Sequence, residues 1–145
     1  MTPETRATRS AEAMWASDTA SKWLGMQLIS VTEGGAELSL TVAPHHANGH
    51  GICHGGITFA LADSAFAFAC NSRNQSSVAQ INTITYLAPA RIGDTLTARA
   101  REISLTGRNG IYDVTVSTTD GAVIAEFRGH SRTIAGQHFA EEAQP

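Results

Sequence analysis

One carboxylate stands apart in this chain of 145 residues. Asp63 is the only charge in the most apolar run, Ile57 to Cys70. Aspartate is a poor helix former, and an unpaired buried carboxylate costs several kcal/mol or takes up a proton. Asp63 is therefore either a structural residue bonded to a neighbouring strand or a base or nucleophile with a raised pKa. Ser64 beside it could orient a water. The same run opens on His54-Gly55-Gly56. The first N–H groups of a helix lack helical acceptors, and the helix dipole makes that end positive. Two glycines there let a ligand oxygen approach, which is how an oxyanion site is built. Close packing of the helix start on a sheet would use the same glycines. Asn48 and His54 could hydrogen-bond a substrate or hold the shape of their loop, and Asn48-Gly49 is also a turn signal.

Spacing adds a constraint. Gly55 and Asp63 are eight residues apart, roughly 12 Å along a helix at ~1.5 Å per residue. An oxyanion donor and a carboxylate working on one carbonyl must both come within roughly 3 Å, or one water, of it. One helix cannot do both, so if both act, one belongs to a second subunit. A two-fold axis would then give two identical composite sites. His45, His46, His50, Cys53 and His54 invite a metal reading. Pro44, Gly49 and Gly51 make that segment a loop, and it holds no carboxylate, so no metal is expected. No nucleophile elbow, phosphate-binding loop or dinucleotide fingerprint is present, so no cofactor is expected.

The elements that must position these residues follow from periodicity. Ser10 can cap a helix over Ala11 to Leu24, closed by Gly25, which leaves residues 1–9 as a loose arm. Ala36, Leu38, Leu40 and Val42 alternate with polar residues, a half-buried strand. Gly34-Gly35 turns it back on Met26 to Thr32. Pro44 to Cys53 is loop, and His54 to Ser72 is a helix that is apolar all round. Four strands follow. Ser77 to Leu87 is the first. Thr95 to Thr106 is the second, with a phase shift between Ala100 and Ile103 that suggests a bulge. Tyr112, Val114 and Val116 mark the third, and Val123, Ala125 and Phe127 the fourth, beyond the Asp120-Gly121 turn. Residues 135–145 read as a frayed tail. The class is α+β in one domain over 1–145, a sheet curled around the apolar helix.

Composition narrows the class. Hydrophobic residues are 42% and charged residues 16%, enough for a core and too few charges for disorder. A net charge of −3 points to neither nucleic acid nor an anionic membrane. Two cysteines, a polar N-terminus and no long apolar span make a cytoplasmic protein the expectation.

The run Asn48 to Gly56, then Phe59-Ala60-Leu61-Ala62-Asp63-Ser64-Ala65, resembles the hotdog-fold acyl-CoA thioesterases, most closely the branch of phenylacetate degradation. Tyr86-Leu87-Ala88-Pro89-Ala90, Gly93-Asp94-Thr95-Leu96 and Phe127-Arg128-Gly129 extend the likeness. It implies a long helix wrapped by about six antiparallel strands, and homodimers that pair into homotetramers. It implies Asp63 as the catalytic carboxylate and the Gly55 amide as the group polarising the thioester carbonyl across the dimer. His54 and Asn48 match site-lining positions, and Ser64 stands where a threonine is common. The substrate implied is an acyl-CoA, CoA being part of that substrate and no cofactor. Phe59 or Phe66 would suit an aromatic or medium-chain acyl group. Arg91, Arg108 and Asn109 are candidates for the CoA phosphates. The alternatives are a hydroxyacyl-CoA dehydratase of the same fold and a non-catalytic acyl-CoA-binding protein.

Overall fold

In the computed structural model, which describes residues 1–142, the first helix starts earlier than its sequence suggests. Helix α1 spans Pro3–Ser17. The Thr2 hydroxyl accepts the Thr5 N–H at 3.1 Å, and Pro3 supplies a ready-made first helical φ. This cap pre-empts the one expected at Ser10, which lies buried inside the helix. Residues 3–9 are thus helix and not a loose arm. The expected single helix to Leu24 is also broken in two. Asp18 ends α1 and caps α2, Thr19–Trp23, accepting from the Ser21 N–H at 3.0 Å and the Ser21 hydroxyl at 2.7 Å. Gly25, at φ +89°, stops it.

Six antiparallel strands form one sheet: β1 Gln27–Thr32, β2 Gly35–Thr41, β3 Ser77–Tyr86, β4 Thr95–Thr106, β5 Asn109–Thr118 and β6 Val123–Thr133. Their order is β1-β2-β4-β5-β6-β3, so β1 and β3 are the edges. Helix α3, Gly55–Cys70, lies across the concave face and packs on β2, β4 and β5. Leu38, Leu40, Leu96, Ala98, Val114 and Val116 meet Leu61, Ala65, Phe66 and Phe68 there, all sealed from solvent. The phase shift in β4 is a bulge between Glu102 and Ser104. A second bulge, between Ala79 and Ile81 of β3, sets which β3 residues face the helix.

Glycine decides how close α3 comes to the sheet. A Cβ at Gly129 would sit 2.7 Å from the Phe66 ring. Without one, Phe66 rests on β6, edge-on to Tyr112 with ring centroids 5.6 Å apart. Full burial of such a side chain contributes ~1.5–3 kcal/mol. Phe66 is therefore core and lines no acyl pocket. Phe59 is half-buried and edge-on to Phe127 at 5.5 Å.

The end of the chain departs from a frayed tail as far as residue 142. Asn74, held at φ +59°, accepts the His138 N–H at 2.8 Å and donates to the Phe139 carbonyl at 2.9 Å. Arg9 lies 4.2 Å above the Phe139 ring, and Arg6 pairs with Glu141 at 2.9 Å. Residues 143–145 of the expected tail lie outside the described residues. No helix among the described residues is long and apolar enough to cross a membrane.

Candidate active site

Helix α3 carries both halves of the candidate chemistry, and its start is built by His54. As N-cap, His54 accepts the Gly56 N–H on Nδ1 at 2.8 Å. Its carbonyl takes the Ile57 N–H at 2.9 Å and the Thr58 N–H at 3.3 Å. The Thr58 bond is the first regular helical one; of the four orphan donors of the helix start, those of Gly56 and Ile57 are met by His54, and the His54 N–H by the His46 carbonyl at 2.8 Å. The fourth, the Gly55 N–H, has no acceptor among the described residues. It is the donor of the helix start that no described residue takes up. Because Nδ1 accepts, a neutral His54 ring carries its proton on Nε2.

Tyr86, at the end of β3, fixes that peptide. Its hydroxyl donates to the Gly55 carbonyl at 2.7 Å, and burial raises its pKa, so the proton stays on. The ring lies 3.1 Å from where a Cβ on Gly55 would stand. This is the positional need for glycine at 55. A cavity of about 390 Å³ opens beside it, lined by Asn48, Gly55, Tyr86, Leu87, Ala90 and Ile124 among others. Asn48 Oδ1 accepts the His50 and Ile52 N–H groups at 3.0 and 3.4 Å. It both closes its loop and faces the cavity. Cys53, on the same wall, keeps its thiol protonated because burial pushes its pKa up.

Asp63 is not part of that wall. It lies two turns further along α3, half-buried, and accepts the Asn82 amide Nδ2–H on Oδ1 at 2.9 Å. Burial raises its pKa, and the Asn82 hydrogen bond opposes the rise. No Lys, Arg or His pairs with it among the described residues. Within one chain, then, Gly55 and Asp63 belong to separate places. The Ser64 hydroxyl shares a 2.9 Å hydrogen bond with Ser21 of α2, which in turn donates to Asp18. His46, from the histidine-rich loop, is a buried loop brace: its ring nitrogens meet the Ala43 N–H at 2.9 Å and the Leu24 carbonyl at 2.8 Å.

The three candidates for phosphate binding do not converge. Arg91 follows the cavity wall and is tied by its backbone to Asp94 at 2.8 Å. Arg108 and Asn109 lie beyond the far end of β4. That strand has 12 residues, roughly 35 Å at ~3.3 Å per residue.

The chain that carries this arrangement is similar to known proteins. Residues 50–125 match the model of the thioesterase superfamily. The chain is 43% identical over 131 residues to the acyl-coenzyme A thioesterase PaaI of Escherichia coli, covering 90% of this chain and 94% of that protein. The chain belongs to the thioesterase superfamily. The solved E. coli PaaI structure, from the phenylacetic acid degradation operon, superposes with a TM-score of 0.92 at 41% identity, over 94% of this chain and 99% of that one. Phenylacetic acid degradation protein PaaI of Thermus thermophilus superposes at 0.78 with 35% identity, over 81% of this chain and 100% of that one. The fold is thus the hotdog thioesterase fold, six antiparallel strands and a long helix preceded by an N-terminal helix.

Two residues of the candidate site escape a reading of the sequence. Asn82 sits in a strand rich in β-branched residues, where asparagine is disfavoured, and that mismatch is its only signal. Tyr86 reads as a strand aromatic, and nothing local shows that its hydroxyl reaches Gly55.

Proposed function

We propose that the chain hydrolyses acyl-CoA thioesters to a carboxylic acid and free CoA in the cytoplasm, acting on aryl or phenylacetyl groups. The observation that carries this reading is the open Gly55 N–H on the cavity wall. Its similarity to PaaI supports the substrate class. The thioester carbonyl oxygen accepts from Gly55, and Asp63 of the partner subunit takes a proton from a water as that water attacks the carbonyl carbon. The oxyanion is held at the positive helix start. It collapses by breaking the C–S bond, and the CoA thiolate leaves. His54 Nε2–H and the Asn48 amide are further donors at the rim. Ser64 acts through its Ser21 bond rather than as a free hydroxyl. Arg91 is the CoA-phosphate contact on the same chain as the cavity, while Arg108 and Asn109 can serve only a site on another subunit.

The working unit is a homodimer, because the two groups are ~12 Å apart on one helix. Strand β3 supports this reading. It is a free sheet edge that exposes Val78 and Ile81 at 46% and 58%, with Leu87 just beyond its end at 56%. Paired dimers would make the homotetramer. The test is thiol release from a panel of acyl-CoAs. Asp63→Asn should lower turnover by about 10²–10⁴-fold with the dimer intact by sedimentation. Near-normal hydrolysis by that variant removes Asp63 from the mechanism.

A further inference from the structure

We infer that Asn82 is the positioning residue of Asp63: its amide ties down one carboxylate oxygen and leaves the other for the reaction. The inference rests on the thioesterase reading for its kinetic half and on geometry for the rest. Asn82 Nδ2 donates to Asp63 Oδ1 at 2.9 Å. Asp63 Oδ2 makes no hydrogen bond among the described residues and is not among their sealed, unpartnered atoms. The carboxylate is therefore held by one oxygen with the other open. An ionised carboxylate only accepts, so the amide must turn its nitrogen toward Asp63.

The consequence falls on the other end of the amide. Asn82 Oδ1 is sealed from solvent with no partner. A buried acceptor without a donor is costly, and an apolar residue would fill this inward strand position without that cost. Asparagine here makes sense for the Asp63 contact and not for the core.

The fold aims the contact. The bulge between Ala79 and Ile81 sets the β3 alternation, so that Ile81 and Thr83 are exposed while Asn82 turns inward. Asn82 pairs with Gly129 on β6, the position whose missing Cβ lets α3 approach through Phe66. Opposite-facing neighbours Arg128 and His130 point away from Asp63. Tyr112, next across on β5, gives its hydroxyl to Glu102 at 2.9 Å. On α3 itself, Cys70 is held neutral by burial with a pKa pushed up to about 12. At the cap of α2, Asp18 is engaged by Ser21, and on α2 Lys22 reaches back to the Ala16 carbonyl at 3.4 Å. Asn82 is thus the one polar group of the described chain that bonds to Asp63.

Asn82→Leu keeps the volume and the burial but removes the donor, and Asn82→Ala is the second variant if leucine crowds the site. Two measurements are made on each: the pH dependence of kcat/KM for thiol release, and a ¹³C titration of the Asp63 carboxylate, assigned by its loss in Asp63→Asn. The expected result is a fall in kcat of about 10- to 100-fold. The acid limb and the Asp63 titration should move together to higher pH, since desolvation then acts unopposed. An acid limb and titration at their wild-type positions overturn the inference, because a merely structural asparagine would move neither. If wild-type protein releases no thiol from any acyl-CoA, the thioesterase reading fails by itself. The titration still decides whether Asn82 governs Asp63.

Discussion

The two ends of α3 are built on opposite terms. At its start, His54 satisfies three backbone donors and leaves the Gly55 N–H open beside a cavity. At its end the side chains of Asn71, Ser72 and Arg73 are all engaged. Asn71 Nδ2 donates to the carbonyls of Ala67 and Ser77 at 2.8 and 3.1 Å, and its Oδ1 accepts the Ser77 N–H and the His138 ring, both at 2.8 Å. Ser72 takes the Gly34 N–H and donates to the Ala69 carbonyl, both at 2.8 Å. Arg73 clasps Glu102, which also accepts from Tyr112. A helix end left incomplete has a donor to offer a ligand, whereas a saturated one is committed to the fold.

The sharpest break of that contrast is at the open end. Gly55→Ala keeps the N–H but brings a methyl group to 3.1 Å from the Tyr86 ring, so the Tyr86 hydrogen bond that fixes the Gly55 peptide is disturbed and the open N–H loses its hold. Turnover should fall about 10²-fold, the cost of misplacing a retained donor by roughly 1 Å. Tyr86 is 51% exposed and can swing aside, so the melting temperature should hold. The same variant tests the shared site. When Gly55→Ala and Asp63→Asn chains are unfolded and refolded together, half of the dimers are mixed and each has one intact site. Activity should return to about a quarter of wild type for a two-chain site. No recovery would place both groups in one chain.

The closed end should answer in stability instead. Asn71→Ala removes five side-chain hydrogen bonds, the four above and one from Nδ2 to Cys70 Sγ at 3.5 Å, and strands the Ser77 N–H, the start of β3. A loss of about 3 kcal/mol in urea unfolding is expected. With the Gly55 end untouched, kcat should stay within about twofold. A large loss of turnover at unchanged stability would mean that the two ends are coupled and the contrast is false.

The same division explains what a reading of the sequence reaches. His54-Gly55-Gly56 and Asp63 are visible because their chemistry is local: a glycine pair at a helix start, and one charge in an apolar run. The β4 bulge is visible as a phase shift from Ala100 to Ile103. What stays hidden depends on partners far along the chain. Asn82 matters because a bulge and Gly129 bring it under α3. Ser64 is claimed by Ser21 only because Asp18 splits the first helix. The tail is tied down as far as Glu141 by Asn74, a residue 67 positions away from it. None of these contacts leaves a periodic trace.

The smallest effect compares two carboxylates. Glu102, its side chain 23% exposed, is held below its ordinary pKa first by the Arg73 hydrogen bond and then by Tyr112, against burial. Its ionised form therefore favours the folded state above the ordinary value of 4.5, and that gain is lost as pH falls through its lowered pKa. Asp63 is raised above its ordinary 3.8 by burial. Its penalty is absent below 3.8 and grows as pH rises through the raised pKa. The two substitutions should then have opposite signs at neutral pH. Glu102→Gln should lower stability by about 1 kcal/mol, a drop of about 4 °C in Tm, whereas Asp63→Asn should leave Tm equal or higher. Both differences should shrink as pH is lowered toward 3, measured by thermal melts across the acid range. A stabilising Asp63→Asn that has also lost turnover would mark Asp63 as a group kept charged for chemistry at the expense of the fold. Parallel losses in both variants would make Asp63 a second Glu102.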